Sequence, residues 1–204
     1  MDYIYAVILF AISSSVTPGP NNIMVMTSGV NFGVKKSVPL LSGICVGFAL
    51  MLLLVGLGFG QLFELFPSLH LIIKCLGTAY LLYLAWLIAR SSEISKGEEQ
   101  GEPLGFMKGA LFQWVNAKAW VVATGAIAAF TTLGASYYSQ NLTIALTFLV
   151  VSFPCVGVWL MFGSMLKKVL KSDAHRKWFN YTMSLLLVLS VVPVVQEIYQ
   201  QICD

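Results

Sequence analysis

Six apolar stretches, separated by short polar breaks, run along the chain: Tyr3–Ser28, Val38–Leu62, Leu69–Ala89, Gly109–Leu133, Leu142–Leu166 and Trp178–Tyr199. At ~1.5 Å per residue, each is long enough to cross the ~30 Å hydrocarbon core of a bilayer as a helix. Lipid leaves backbone N–H and C=O groups unsatisfied, so a helix is the stable form for such a segment. The pattern predicts an all-α integral membrane protein of six transmembrane helices. The fourth and fifth stretches are divided only by Gly134–Asn141 (GASYYSQN), which is polar but uncharged. Its Tyr137, Tyr138 and Asn141 read as an interfacial turn. The first stretch opens Met1-Asp2 and lacks the basic start of a cleaved signal peptide.

Composition narrows the class further. Of the 204 residues, 58% are hydrophobic and only 10% charged, against ~25% charged in a soluble domain. A net charge of +3, scattered along the chain, gives no nucleic-acid surface. Cys45, Cys75, Cys155 and Cys203 form no CxxC pair, and the first three lie in apolar stretches where cysteine packs as a small residue. His70 and His175 lie near span ends and have no partner His or Cys. No metal and no cofactor is expected.

The basic residues give the sidedness. With six spans, the connections Val30–Ser37, Arg90–Lys108 and Lys167–Lys177 share one side, and they hold ten of the twelve Lys and Arg residues. Only Lys74 falls to the opposite side, while Lys118 lies inside a span. Positive residues collect on the cytoplasmic side, so both termini are expected outside. The middle connection, SSEISKGEEQGEP, is the one real linker. It divides the chain into residues 1–90, a linker 91–108, and residues 109–204. Three spans per half is an odd number, so the halves enter the membrane in opposite senses, as two inverted repeats would.

Two places contradict the apolar background. Thr17-Pro18-Gly19-Pro20-Asn21-Asn22 interrupts the first stretch. Two prolines free backbone groups that lipid cannot satisfy, so the first helix should break at Pro18-Gly19-Pro20, where protein or a wet cavity covers it. Lys118, within Val115-Asn116-Ala117-Lys118-Ala119-Trp120, is the one charge well inside a span. It would cost ~2.5–3.5 kcal/mol on insertion scales, and such a residue points to function. Counting from Gly29 and Gly109, both anomalies lie roughly 14–15 Å deep, close to the midplane. A snorkelling lysine would have to cover most of a leaflet. Thr17, Pro18, Gly19, Pro20, Asn21 and Asn22 are therefore expected to face Asn116 and Lys118 across one substrate cavity, the arrangement transporters build from broken helices.

Smaller features accompany these. Gly43-xxx-Gly47 and Gly29-xxx-Gly33 permit close helix contact, within the subunit or in a homo-oligomer. Gly56, Gly58 and Gly60 thin the end of the second span. Pro154 and Pro193 read as kinks, the former as a lining of the same cavity.

TPGPNN at Thr17–Asn22, SGICVGF at Ser42–Phe48, LGTAYLLYLAW at Leu76–Trp86, GALFQWVNAKAW at Gly109–Trp120 and SFPCVG at Ser152–Gly157 together resemble the LysE/RhtB family of amino-acid exporters. The resemblance covers nearly the whole chain, and QWVNAK with TPGPNNI is most similar to the cysteine/O-acetylserine branch. It implies a multi-pass protein of the bacterial inner membrane that exports small amino acids or related metabolites. The family's fourth-span motif is Asn-Pro-Lys, and Ala117 stands here in place of the proline. Alanine keeps its N–H, so the fourth helix is expected to be less broken.

The expected function is secondary transport of an amino acid by alternating access. Lys118 would pair with the substrate carboxylate; carbonyls at Thr17–Gly19, with Asn21 and Asn22, would take its ammonium. No Asp or Glu lies deep in a span, so proton coupling would use Lys118 itself or Glu64, or the substrate would follow its own gradient. No nucleotide-binding loop is present in the sequence. An intramembrane enzyme would need a nucleophile and base at common depth. A membrane assembly protein would have no use for a mid-depth lysine.

Overall fold

The computed structural model describes residues 2–59, 67–90, 102–132, 134–170 and 172–203. These form helices α1 (Asp2–Val16), α2 (Pro20–Phe32), α3 (Val34–Leu54), α4 (Pro67–Arg90), α5 (Phe106–Val115), α6 (Ala117–Phe130), α7 (Tyr137–Val169) and α8 (Asp173–Cys203), with a π turn at Val55–Phe59 after α3. No strand occurs among the described residues, and within them each predicted apolar stretch falls mainly on helix. Val34–Gly58, Tyr137–Lys167 and Asp173–Gln200 are each long and apolar enough to cross a membrane. Tyr3–Val16 and Pro20–Phe32 make a fourth, bent by 57° at the Thr17–Gly19 break. Cys75–Arg90 and Ala117–Phe130 are shorter apolar helices. The chain is an all-helical, multi-pass membrane protein.

The polar stretch Gly134–Asn141 differs from the interfacial turn expected of it. Tyr137 already starts α7, and Asn141, 2% exposed, is buried in that helix. The reason lies at the end of α3, where the π turn disturbs the regular ladder around Leu53 and Gly56. Asn141 Nδ2 donates to the Leu53 carbonyl at 3.1 Å, and the Tyr137 hydroxyl donates to the Gly56 carbonyl at 2.6 Å. Gly58 holds φ at +98° within this turn, a conformation that glycine adopts without penalty. Gly60 lies outside the described residues.

The expected loop Val30–Ser37 shrinks to a single residue. α2 ends at Phe32, Gly33 turns the chain with φ +81°, and α3 begins at Val34. Ser28 and Ser37, both buried, share a 2.7 Å hydrogen bond across this turn.

Glycines set the closest helix packing. A Cβ on Gly163 of α7 would meet the Met26 carbonyl oxygen at 2.1 Å, and one on Gly29 of α2 would meet the Leu160 carbonyl oxygen at 2.6 Å. The same reciprocity joins α3 to α5: Gly43 lies against Phe106, Gly47 against Ala110, and Gly109 against the Leu40 carbonyl. Gly43-xxx-Gly47 thus serves contact inside the subunit. Helix α4 packs along α8. Pro154 and Pro193 are exposed, and α7 and α8 run through them as continuous helices. The sequence expectation that Pro154 lines the central cavity is not met; its neighbours Ser152 and Val156 do so instead.

Two apolar clusters fill the interior. One gathers Ile23, Met24, Leu40, Ile44, Leu84, Phe112 and Leu187, among others; the second gathers Val7, Ala11, Phe48, Met51, Ala123, Ile144 and Phe148. Along each broken helix, one cluster gives way to the other at the break.

Candidate functional site

Breaking a helix in a membrane frees carbonyls, and each must find a donor. At the first break these carbonyls belong to Ser15, Val16 and Thr17. Asn22 Nδ2 donates to Ser15 O at 2.9 Å and to Thr17 O at 3.0 Å, folding back over the break from the first turn of α2. Trp159 Nε1 reaches Val16 O from α7 at 3.2 Å. Lys118 Nζ, from α6, donates to Thr17 O at 2.7 Å and lies 3.4 Å from Pro18 O. Pro20 is buried as the first residue of α2, a position where its missing N–H costs nothing.

Gly19 makes room for the lysine. Its backbone is fully extended, which any residue can adopt, so its requirement is steric. An added Cβ would stand 3.0 Å from Lys118 Cδ and 3.2 Å from Nζ. The lysine stem crosses the break directly over this bare backbone.

The fourth apolar stretch is interrupted even with Ala117 in the place of a proline. It is broken: α5 stops at Val115 and α6 starts at Ala117. Asn116 makes the break without a proline, at φ −89°, ψ 105°, and its side-chain oxygen caps α6 by accepting from the Lys118 N–H at 3.2 Å. Asparagine at an N-cap competes well with the continuous helix because it satisfies an orphan N–H. Trp120 Nε1 covers the Trp114 carbonyl at 2.8 Å.

Gln113 is the residue that the sequence pattern does not single out. It is fully buried and exchanges two hydrogen bonds with Asn21: Asn21 Nδ2 to Gln113 Oε1 at 2.9 Å, and Gln113 Nε2 to Asn21 Oδ1 at 3.0 Å. Gln113 Nε2 also donates to Gly109 O at 2.9 Å. The signal was a lone amide in GALFQWV, five residues before Lys118. Without charge or helix-breaking power it passes for an ordinary polar residue.

Residues of both breaks meet in one cleft, of which Pro20 and Gln113 are not lining residues. Gly19, Asn21, Asn22, Asn116 and Lys118 line it with Ser14, Ser15, Cys45, Phe48 and Ser152. The Ser15 and Ser152 hydroxyls are 3.3 Å apart. The cavity volume is about 50 Å³, enough for a few waters. Thr17 and Pro18 reach it through their carbonyls on Lys118. Among the described residues, no carboxylate lines the cleft, and Lys118 is its one cation. Glu64, named from the sequence as a coupling group, lies outside the described residues.

A polar cleft of this kind, walled by two broken helices inside an apolar bundle, is the architecture of a membrane transporter. The chain belongs to the LysE type translocator family, whose profile matches residues 12–195, and is thus a transporter rather than an enzyme. It is 29% identical over 196 residues to a cysteine/O-acetylserine efflux protein of Klebsiella pneumoniae, an alignment covering 95% of this chain and 97% of that one. Proteins of the same name from Salmonella choleraesuis and Escherichia coli K12 are 28% and 27% identical over 188 residues, covering 91% of this chain and 93% of theirs. No solved structure matches.

Proposed function

We propose that this protein exports a small zwitterionic amino acid, with cysteine and O-acetylserine as the first candidates, across the bacterial inner membrane by alternating access. The observation that carries the reading is the hydrogen bond from Lys118 to the Thr17 carbonyl. It pairs a cation with a freed backbone acceptor, the two kinds of group that the carboxylate and the ammonium of a zwitterion would take. A substrate entering the cleft would separate the two: its carboxylate takes the Lys118 ammonium, and its own ammonium takes the carbonyls of Thr17 and Pro18. No buried charge is left unpaired at any point, which matters because an orphaned ion in a low-dielectric site is costly. With so little free volume, the substrate must displace the lysine side chain rather than fill a waiting cavity.

In this reading the helices form six spans: α1–α2, α3, α4, α5–α6, α7 and α8. Residues 1–90 and 109–204 are inverted three-span halves joined by the linker 91–108, with both termini periplasmic. Three features support it: the charge bias of the connections, a broken first span in each half, and the reciprocal glycine packing of α2 on α7 and α3 on α5. With no carboxylate lining the cleft among the described residues, proton coupling would run through Lys118. Uptake of labelled L-cysteine, O-acetyl-L-serine and other amino acids into inverted membrane vesicles tests the reading. Saturable uptake of a small zwitterion supports it; a folded protein that moves none of them refutes it.

A further inference from the structure

A second cavity, with an apolar wall that includes Leu87 and Ile88 and a few polar groups, lies beyond the central cleft, toward the C-terminal end of α2. Met24, Thr27 and Asn31 of α2 line it with Tyr83 of α4 and with Glu102 and Lys108 before and within α5, and its volume is about 270 Å³. A further cavity of about 410 Å³ adjoins it, sharing Phe32, Glu102 and Leu104 and adding Lys36. On the proposed topology both face the cytoplasm, the side from which an exporter loads.

Three observations mark the inner of these cavities as built for a ligand. Thr27 is 3% exposed, yet its Oγ1 has no hydrogen-bond partner. A buried hydroxyl without a partner is costly and is rarely kept without use. Its neighbour Asn31 is, by contrast, fully engaged, donating to Thr27 O at 3.0 Å and pairing with Asn180. The rim carries one charge of each sign, Glu102 and Lys108, both exposed. Finally, the two cavities lie one turn of α2 apart, Asn21 lining the central cleft and Met24 this one. Asn21, ~9 Å from Thr27 along α2, is locked to Gln113 on α5, and Met24 fills the turn between them.

We propose that this cavity is a loading site, which takes a small zwitterionic amino acid before it reaches Lys118. Lys108 attracts the carboxylate, Glu102 the ammonium, and the Thr27 hydroxyl supplies the directional hydrogen bond. The Asn21–Gln113 amide pair and Met24 form the gate to the central cleft. Opening the gate leaves no amide stranded, because each released side chain can bond the zwitterion as it passes. This inference rests on the export reading above.

Equilibrium binding of radiolabelled L-cysteine and O-acetyl-L-serine to the purified full chain in detergent tests it. In Lys118→Ala the central site is lost, and one class of binding site should remain. Adding Thr27→Val, which keeps the shape and removes only the unpartnered hydroxyl, should weaken that residual binding about tenfold, as expected for one hydrogen bond to a charged group. Adding Glu102→Gln with Lys108→Gln, on the exposed rim, should weaken it as well. Vesicle transport by the wild-type chain with no residual binding in Lys118→Ala overturns the loading site alone. Residual binding unchanged by Thr27→Val and by the rim pair also overturns it. A wild-type chain that is folded but neither binds nor transports either probe overturns the export reading, and the loading site with it.

Discussion

Lys118 Nζ and the Thr17 carbonyl oxygen, 101 residues apart in sequence, are joined by a 2.7 Å hydrogen bond across two helix breaks. Gly19 leaves room for that contact, since an added Cβ would stand 3.0 Å from the lysine Cδ and 3.2 Å from Nζ. Gly19→Ala should therefore insert normally and still displace the ammonium. Vesicle transport is expected to fall roughly tenfold or more, ~1.4 kcal/mol in barrier, with little change in the amount of protein in the membrane. Wild-type transport by this variant would show that the lysine position is not critical.

Gln113→Leu tests the amide pair. It leaves Asn21 without its partner in a half-buried position, at an expected cost of ~1–3 kcal/mol. The thermal midpoint in detergent should drop by roughly 2–4 °C per kcal/mol. Adding Asn21→Leu should recover part of the loss, since the two are coupled. Additive losses would mean that the pair contributes nothing as a pair.

Ala117→Pro is expected to be tolerated. Ala117 is the first residue of α6, where a helix N–H has no intrahelical partner and proline fits. Asn116 already holds the extended backbone that a following proline favours. The variant should fold at or slightly above wild-type stability and keep transport. A misfolded product would contradict this account of the break.

Much of this was legible in the sequence, because hydrocarbon makes polar residues conspicuous. Pro18-Gly19-Pro20 and Lys118 stood out by cost alone, and equal depth was enough to bring them together. The place of the second break is less legible, because alanine stands where a proline would mark it and the asparagine N-cap alone makes it. Asn141 is not legible as a buried residue because its partner is a carbonyl in the last turn of α3, 88 residues earlier, which no local pattern reveals. Gln113 was passed over because a neutral amide carries no such cost once it is paired.

The proposed sidedness has its own check. Reporter fusions at Lys35 and Asp173 should both score cytoplasmic, and one at Ser139 periplasmic, given the concentration of Lys and Arg in the connections on one side. A cytoplasmic signal at Ser139 would remove the inverted-half arrangement.

The central claim is that the Lys118 ammonium holds the substrate carboxylate, and transport by Lys118 variants measures it most directly. Uptake of labelled L-cysteine or O-acetyl-L-serine into inverted vesicles should be abolished in Lys118→Ala, with membrane insertion and thermal midpoint retained. Lys118→Arg should fail too, because a planar guanidinium cannot sit over Gly19 as the ammonium does. Transport at the wild-type rate by Lys118→Ala would contradict the account, and Lys118 would then be no more than a donor that covers the Thr17 carbonyl.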